Sequence, residues 1–293
     1  MKDKKLKFSG LLMCLLVFVV SLLVQLVGGV IAYVVVGIML GVQAAMQGIT
    51  SPEVVEQMAL EAAADSAGWV ILITHLFIIL TFGLWYGLGI RKKVQKMPIA
   101  KVLAPKNLFL MVVIALGMGF TINFGMEVAV YVIPASVVES YMELMETAGM
   151  GENVVTILAA VCLAPIGEEL VYRGACMYYG ERFAEGLGEK KAFWIANIIQ
   201  ALGFGIFHLN LLQGSYAFLL GLGLGYLTKR YKSLVPAMIG HFVINASSTF
   251  LWGPVYGVMP QSTLAFGICA LVCLAVTAVA FKIAGNPLTE QEA

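Results

Sequence analysis

The chain has 293 residues, 60% of them hydrophobic and only 12% charged, with a formal net charge of +1. An ordinary soluble domain is about 45–50% apolar and about 25% charged, so this composition excludes a water-soluble globular protein and makes lipid the solvent for much of the surface. The near-neutral charge says little by itself; the placement of the charges says more, and no nucleic-acid partner is expected.

A spanning helix needs about 20 apolar residues, because the hydrocarbon core is ~30 Å thick and each residue rises ~1.5 Å. Eight segments meet this need: roughly 8–42, 68–90, 107–134, 153–179, 191–208, 211–228, 234–251 and 263–284. The expected fold is therefore an all-α polytopic membrane protein, a bundle of about eight transmembrane helices forming a single domain over 1–293. Lys2, Lys4, Lys5 and Lys7 ahead of the first apolar run resemble a signal peptide, but the run continues past 30 residues without a convincing cleavage site and reads as an uncleaved first span. That span is long enough to tilt strongly or to protrude; a break at Gly28-Gly29 is the weaker alternative. Between spans one and two, Ser51-Pro52-Glu53 reads as an N-cap, a proline at the first helical position and an acid at the positive end of the dipole. Val54, Met58 and Ala62 then recur at helical spacing, which predicts a short amphipathic surface helix.

Lys and Arg fix the orientation. With eight spans, 17 of the 18 basic residues fall on one side, in the N-terminus, the loops after spans two, four and six, and at Lys282. The opposite loops carry Glu53, Glu56, Glu61, Asp65, Glu139, Glu143, Glu146 and Glu152 and no base. Both termini are thus expected on the cytoplasmic side; nothing in the sequence looks eukaryotic, so the membrane is expected to be a bacterial plasma membrane. The five cysteines (Cys14, Cys162, Cys176, Cys269, Cys273) lie in apolar stretches with no CxxC pair and read as buried thiols. The 31 glycines and 15 methionines suit closely packed membrane helices.

The eighteenth basic residue is Arg173, inside span four beside Glu168 and Glu169. Each charge there costs at least ~2.5–3.5 kcal/mol on insertion scales, and such groups face the bundle interior and mark working sites. Glu169 and Arg173 are i, i+4 and can pair, while Glu168 points about 100° away. One carboxylate is left for structure and one for chemistry. All three histidines also fall in spans: His75 in span two with no polar residue a turn away, His208 at the end of span five below Phe204, and His241 in span seven one turn before Asn245. Taken singly, each has a plain structural reading: an ion pair for Glu169–Arg173, an interfacial residue for His208, an interhelical hydrogen bond for His241 with Asn245, core packing for Phe204 and His75, and a polar helix contact for Asn123 with Glu127. Taken together, carboxylate, two imidazoles and a carboxamide on three helices can activate water and hold an oxyanion, which is acyl-bond hydrolysis.

Three motifs carry a resemblance. Glu168-Glu169-Leu170-Val171-Tyr172-Arg173, Phe204 to His208, and His241 to Asn245 stand as EExxxR, FxxxH and HxxxN in the order found in the CPBP family (CAAX proteases and bacteriocin-processing proteins, also called Abi), over about residues 153–250. The resemblance implies an intramembrane endopeptidase in which Glu168 with His208 activates water, His241 and Asn245 form the oxyanion hole, and Glu169 with Arg173 orients the site; Phe204 is a candidate for substrate binding. It implies as partner a membrane-associated protein or peptide, prenylated or a bacteriocin or signal peptide, within the lipid bilayer. Cofactor use stays open: the glutamate mechanism is favoured, and the alternative is a metalloprotease with one divalent metal, zinc, on Glu168, His208 and His241. A transporter or a non-catalytic scaffold or immunity protein is the competing reading. One difficulty remains: counted from the cytoplasmic loops, Glu168 and His241 lie about 10–17 Å deep but His208 about 21–25 Å, so span five must tilt, or start below the membrane surface in a re-entrant arrangement that the short link 210–214 allows, for the set to meet.

Overall fold

A computed structural model describes residues 5–147 and 154–288, with the backbone alone over 59–65. Lys2, Lys4 and Glu152 lie outside the described residues, as do the side chains of Glu61, Ala62 and Asp65. The described chain is all α-helix: α1 Phe8–Met46, α2 Pro52–Asp65, α3 Ala67–Ile90, the short α4 Ile99–Val102, α5 Pro105–Ala129, α6 Ala135–Thr147, α7 Val154–Leu187, α8 Glu189–Ile206, α9 Leu211–Tyr231, α10 Val235–Ala246 and α11 Thr263–Ala284. A π-helical turn, Ser247–Leu251, prolongs α10 into Trp252–Val258.

Six of these, α1, α3, α5, α7, α9 and α11, are long and apolar enough to cross a membrane. The two other expected spans form helices too, but fall short of that measure for a physical reason. α8 opens on Glu189, Lys190 and Lys191 and carries Asn197 and Gln200; α10 carries His241 and Asn245. Glu189, Lys190 and Lys191 are exposed at the start of α8, whereas Asn197, Gln200 and His241 are turned inward and buried.

α1 runs through Gly28-Gly29 as one helix, without the break. α2 starts at Pro52 as its sequence predicts, with Val55 N–H on the Ser51 carbonyl at 3.1 Å. The Ser51 hydroxyl donates to the Glu53 carboxylate at 2.6 Å and holds it below the usual carboxylate range. The loop expected after span three contains a second short helix, α6, started by Pro134. Its Glu139, Glu143 and Glu146 register first as loop charge, yet Tyr141 on the same helix packs edge-on against Tyr216 of α9.

Two large cores hold the bundle, beside a small cluster of Met177, Phe193 and Ala196. Met111 and Ile114 of α5 pack with Leu224 and Leu227 of α9 and Ile244 of α10; Val17 of α1 packs with Phe82 of α3, Val171 and Tyr172 of α7 and Phe204 of α8. Lipid tails are as apolar as these side chains, so close van der Waals contact and interhelical hydrogen bonds, not water exclusion, join the helices. The α8–α9 hairpin shows the consequence. A Cβ at Gly205 would stand 2.6 Å from the Gly214 carbonyl oxygen, and one at Gly225 would stand 1.9 Å from Asn197 Oδ1. The Gly221-x-x-x-Gly225 face is thus the seat of α8, fastened by Asn197 Nδ2 on the Leu222 carbonyl (3.1 Å) and Gln200 Nε2 on that of Gly221 (2.9 Å).

The basic ends of several helices gather at one end of the bundle. The Lys7 ammonium meets the Glu185 carboxylate, Lys229 Nζ lies 3.0 Å from Glu181 and 3.4 Å from Glu189, and the Arg230 guanidinium donates to the Ala284 carbonyl.

Candidate active site

Two departures from α geometry shape α7. A π-helical turn, Leu158–Leu163, precedes the glutamate pair and another, Leu170–Cys176, follows it; such turns gather at functional sites because they break the regular hydrogen-bond ladder. In the first, Ala164 N–H bonds the Ala159 carbonyl. The next residue, Pro165, has no N–H to give, so in that register the Ala160 carbonyl loses its partner. Asn245 Nδ2 of α10 supplies one at 2.9 Å. A backbone defect in α7 thereby draws in a site residue from another helix.

The two glutamates separate as their 100° offset requires. Glu169 is fully buried; its Oε1 accepts from Arg173 Nη1 at 2.8 Å and from His241 Nδ1 at 2.9 Å. Glu168 keeps 23% of its side chain exposed. His241 Nε2 stands 3.6 Å from Glu168 Oε2, and His75 Nε2 stands 3.7 Å from Glu168 Oε1. Arg173 also stacks on the Phe204 ring, 4.5 Å from its centre, with its Nε and Nη2 lacking hydrogen-bond partners among the described residues. Phe204 is a hub: the rings of His208, Tyr172 and His241 lie 4.8, 5.0 and 5.6 Å from it.

A longer α7 brings His208 to this group. α7 runs on to Leu187, eight residues past the expected end of span four, and the chain turns at Gly188, whose φ of +90° is a glycine conformation. Glu168 and His208 each lie twenty residues from that turn, so an antiparallel hairpin sets them level. The His208 and Glu168 side chains are close enough to interact electrostatically. The link to α9 is tight: Leu209 takes the left-handed conformation (φ 54°) and Asn210 caps α9, its Oδ1 accepting from Leu212 and Gln213 N–H.

Every histidine is anchored alike. Nδ1 of His75 meets the Ile71 carbonyl at 2.8 Å, Nδ1 of His208 the Phe204 carbonyl at 2.7 Å, and Nδ1 of His241 the Glu169 carboxylate. A carbonyl only accepts, so Nδ1 of His75 and of His208 carries a proton and Nε2 is the atom left to face a partner. That donor chemistry would suit a metal. Among the described residues, however, no three His, Cys, Asp or Glu side chains come together at metal-ligand spacing. Glu168, His208 and His241 therefore do not fit a bound divalent ion as they stand, and no step below runs through one.

His75 is the site neighbour that the sequence hides, because its partner lies on another helix; an imidazole inside an apolar span is the one signal. The pairing of Asn123 is with Ser248 Oγ, 3.3 Å away on the helix that continues α10. A cavity of ≈ 460 Å³ runs along one face of α7 from Glu185 past Arg182 and Tyr178 to Arg173, with Lys93 and Lys232 on its far wall, and links the basic end of the bundle to the buried ion pair.

No curated protein and no solved structure matches the chain. A family comparison does: residues 150–247, which hold the glutamate pair, Arg173, Phe204, His208, His241 and Asn245, match the family described as type II CAAX prenyl endopeptidase Rce1-like. The match spans about a third of the chain, and over those residues the protein is similar to an Rce1-like domain of the CPBP (Abi) class, a family of proteases.

Proposed function

We propose that the protein is an intramembrane endopeptidase that hydrolyses a peptide bond of a membrane-associated protein or peptide, with Glu168 as the base. One observation carries the reading: of two adjacent buried-helix carboxylates, Glu169 is spent on Arg173 and His241, while Glu168 stays partly exposed with two imidazole Nε2 atoms beside its oxygens. Glu168, helped by Nε2 of His208, takes a proton from water as the water oxygen bonds the scissile carbonyl carbon. The oxyanion so formed is held by His241 and by the second N–H of the Asn245 amide, whose first is on Ala160. Collapse breaks the C–N bond, and Glu168 returns the proton to the leaving nitrogen, giving a carboxylic acid and an amine. Glu169 holds the His241 ring in place, and Arg173 balances the Glu169 charge in a medium where an unpaired ion is costly. The family description names a prenylated substrate; for this chain the substrate is a prenylated protein or another peptide held at the membrane.

The same reading takes α8 and the α10 helix as two further crossings, eight in all, with both termini cytoplasmic. The gathering of Lys7, Lys229 and Arg230 at one end supports it, as does the acidic α6 beyond the other. A cysteine placed at the exposed Met142 of α6 should react with an impermeant thiol reagent from outside the cell, and one at Lys232 should not.

The test of the chemistry is cleavage of a membrane-peptide library by wild type and by Glu168→Gln in detergent or vesicles. Loss of cleavage in a variant that keeps its melting temperature supports the reading. A wild type that cuts nothing, including substrates from its own cell, or a fully active Glu168→Gln, sinks it.

A further inference from the structure

We propose that His75, on α3 and outside the matched domain, is a positioning residue for Glu168: it shares a proton with that carboxylate and fixes its rotamer. The proposal deepens the peptidase reading and rests on it for its catalytic consequence. Its geometric basis is separate. α3 reaches α7 because Gly167, the neighbour of Glu168, has no side chain: a Cβ there would stand 3.1 Å from Ile78 Cγ2 and 3.6 Å from His75 Cδ2. The close approach brings His75 Nε2 to 3.7 Å from Glu168 Oε1, and the bond from Nδ1 to the Ile71 carbonyl fixes the ring so that Nε2 is the atom presented. His241 takes the other oxygen, Oε2, from the opposite side.

A carboxylate oxygen and an unprotonated imidazole nitrogen repel, since both are acceptors. Their approach is favourable once a proton lies between them. The charges point the same way: Glu168 and Glu169 face a single guanidinium, Arg173, and one proton shared within Glu168, His75 and His241 brings the buried group to neutrality. A glutamate has three side-chain torsions and loses much rotamer freedom when fixed. Held at Oε1 from α3, Glu168 presents its remaining lone pairs to one place, which is what a base acting on a positioned water requires.

Two measurements test this. In cleavage assays, His75→Ala should lower kcat about 10- to 100-fold with KM within about 2-fold and the melting temperature retained, a size typical of a lost orienting partner. His75→Gln, which keeps an N–H donor within reach of Glu168, should recover most of the rate; a purely packing role would not distinguish Gln from Leu. Unchanged kcat in a folded His75→Ala overturns the proposal and leaves the peptidase reading standing. The second measurement needs no activity. The chain has only 3 histidines, so ¹⁵N-histidine NMR of the detergent-solubilised protein gives three imidazole signal sets, assigned by single substitutions. Glu168→Gln should move the Nε2 resonance of His75. If that resonance stays in place, the contact is absent and the proposal fails, whether or not a substrate has been found.

Discussion

α1 and α7 are both long apolar helices that touch over part of their length, yet they are used in opposite ways. In α1 the most apolar stretch is 22% buried inside the protein and in α7 it is 50%. α1 turns Leu12, Leu22, Val30 and Ile38 outward. α7 buries Glu169 and Arg173 and frames the glutamate pair with two π-helical turns. The difference teaches that in lipid an apolar side chain says little about where a helix sits, because either side of the wall suits it. Polar groups and small residues place a helix, since only protein can satisfy the first and only close contact exploits the second.

Four substitutions sharpen or break this contrast. The largest effect is expected at the ion pair. Arg173→Ala leaves Glu169 buried with His241 as its one remaining partner, and breaking a buried pair from one side costs about 3–5 kcal/mol; folded protein recovered in detergent should fall steeply. A folded Arg173→Ala with a wild-type melting temperature would remove the case for α7 as the organising helix. Next comes Asn245→Ala. If its amide holds the oxyanion, kcat falls about 10²–10³-fold, and loss of the bond to Ala160 costs a further ~1–3 kcal/mol of stability. A stability loss without a kinetic one would assign Asn245 to structure alone. Third, Gly225→Ala drives a methyl into Asn197, and overpacking of this kind costs about 1–3 kcal/mol, read as a lower unfolding midpoint. Smallest is the matching change on the outer helix. Gly41→Ala meets nothing within 4 Å and, through its better helix propensity, should stabilise by no more than about 1 kcal/mol. Equal effects at Gly225 and Gly41 would erase the distinction between the two regions.

What the sequence makes legible follows the same division. The basic and acidic loops order the chain, and Glu168, Glu169, Arg173, Phe204, His208, His241 and Asn245 stand out as polar or motif positions in apolar surroundings; the structure gathers them around α7. Partners on other helices are harder to read. His75 has no polar residue a turn away, and only the notch at Gly167 brings it to Glu168. Of the two π-helical turns only the first has a local mark, Pro165, and the partner that completes it, Asn245, comes from another helix. The depth mismatch of His208 came from ending span four too early: Arg182 and Glu185 look like the start of a loop, yet the helix continues through them to Gly188. α8 and α10 carry the site's polar groups, and those groups blur the apolar signal by which spans are recognised.

The Pro165 defect also bears on how the protein is made. An open carbonyl is poorly tolerated in hydrocarbon, and the side chain that closes the one at Ala160 lies 85 residues further along the chain. At translation rates of about 5–20 residues per second, that interval is roughly 4–17 s. During it a nascent α7 carries an unmet backbone group, so it is expected to linger in a polar setting such as the insertion machinery until α10 emerges. Release into lipid and completion of the site would then be the same event, and a truncated chain would carry its own mark of incompleteness.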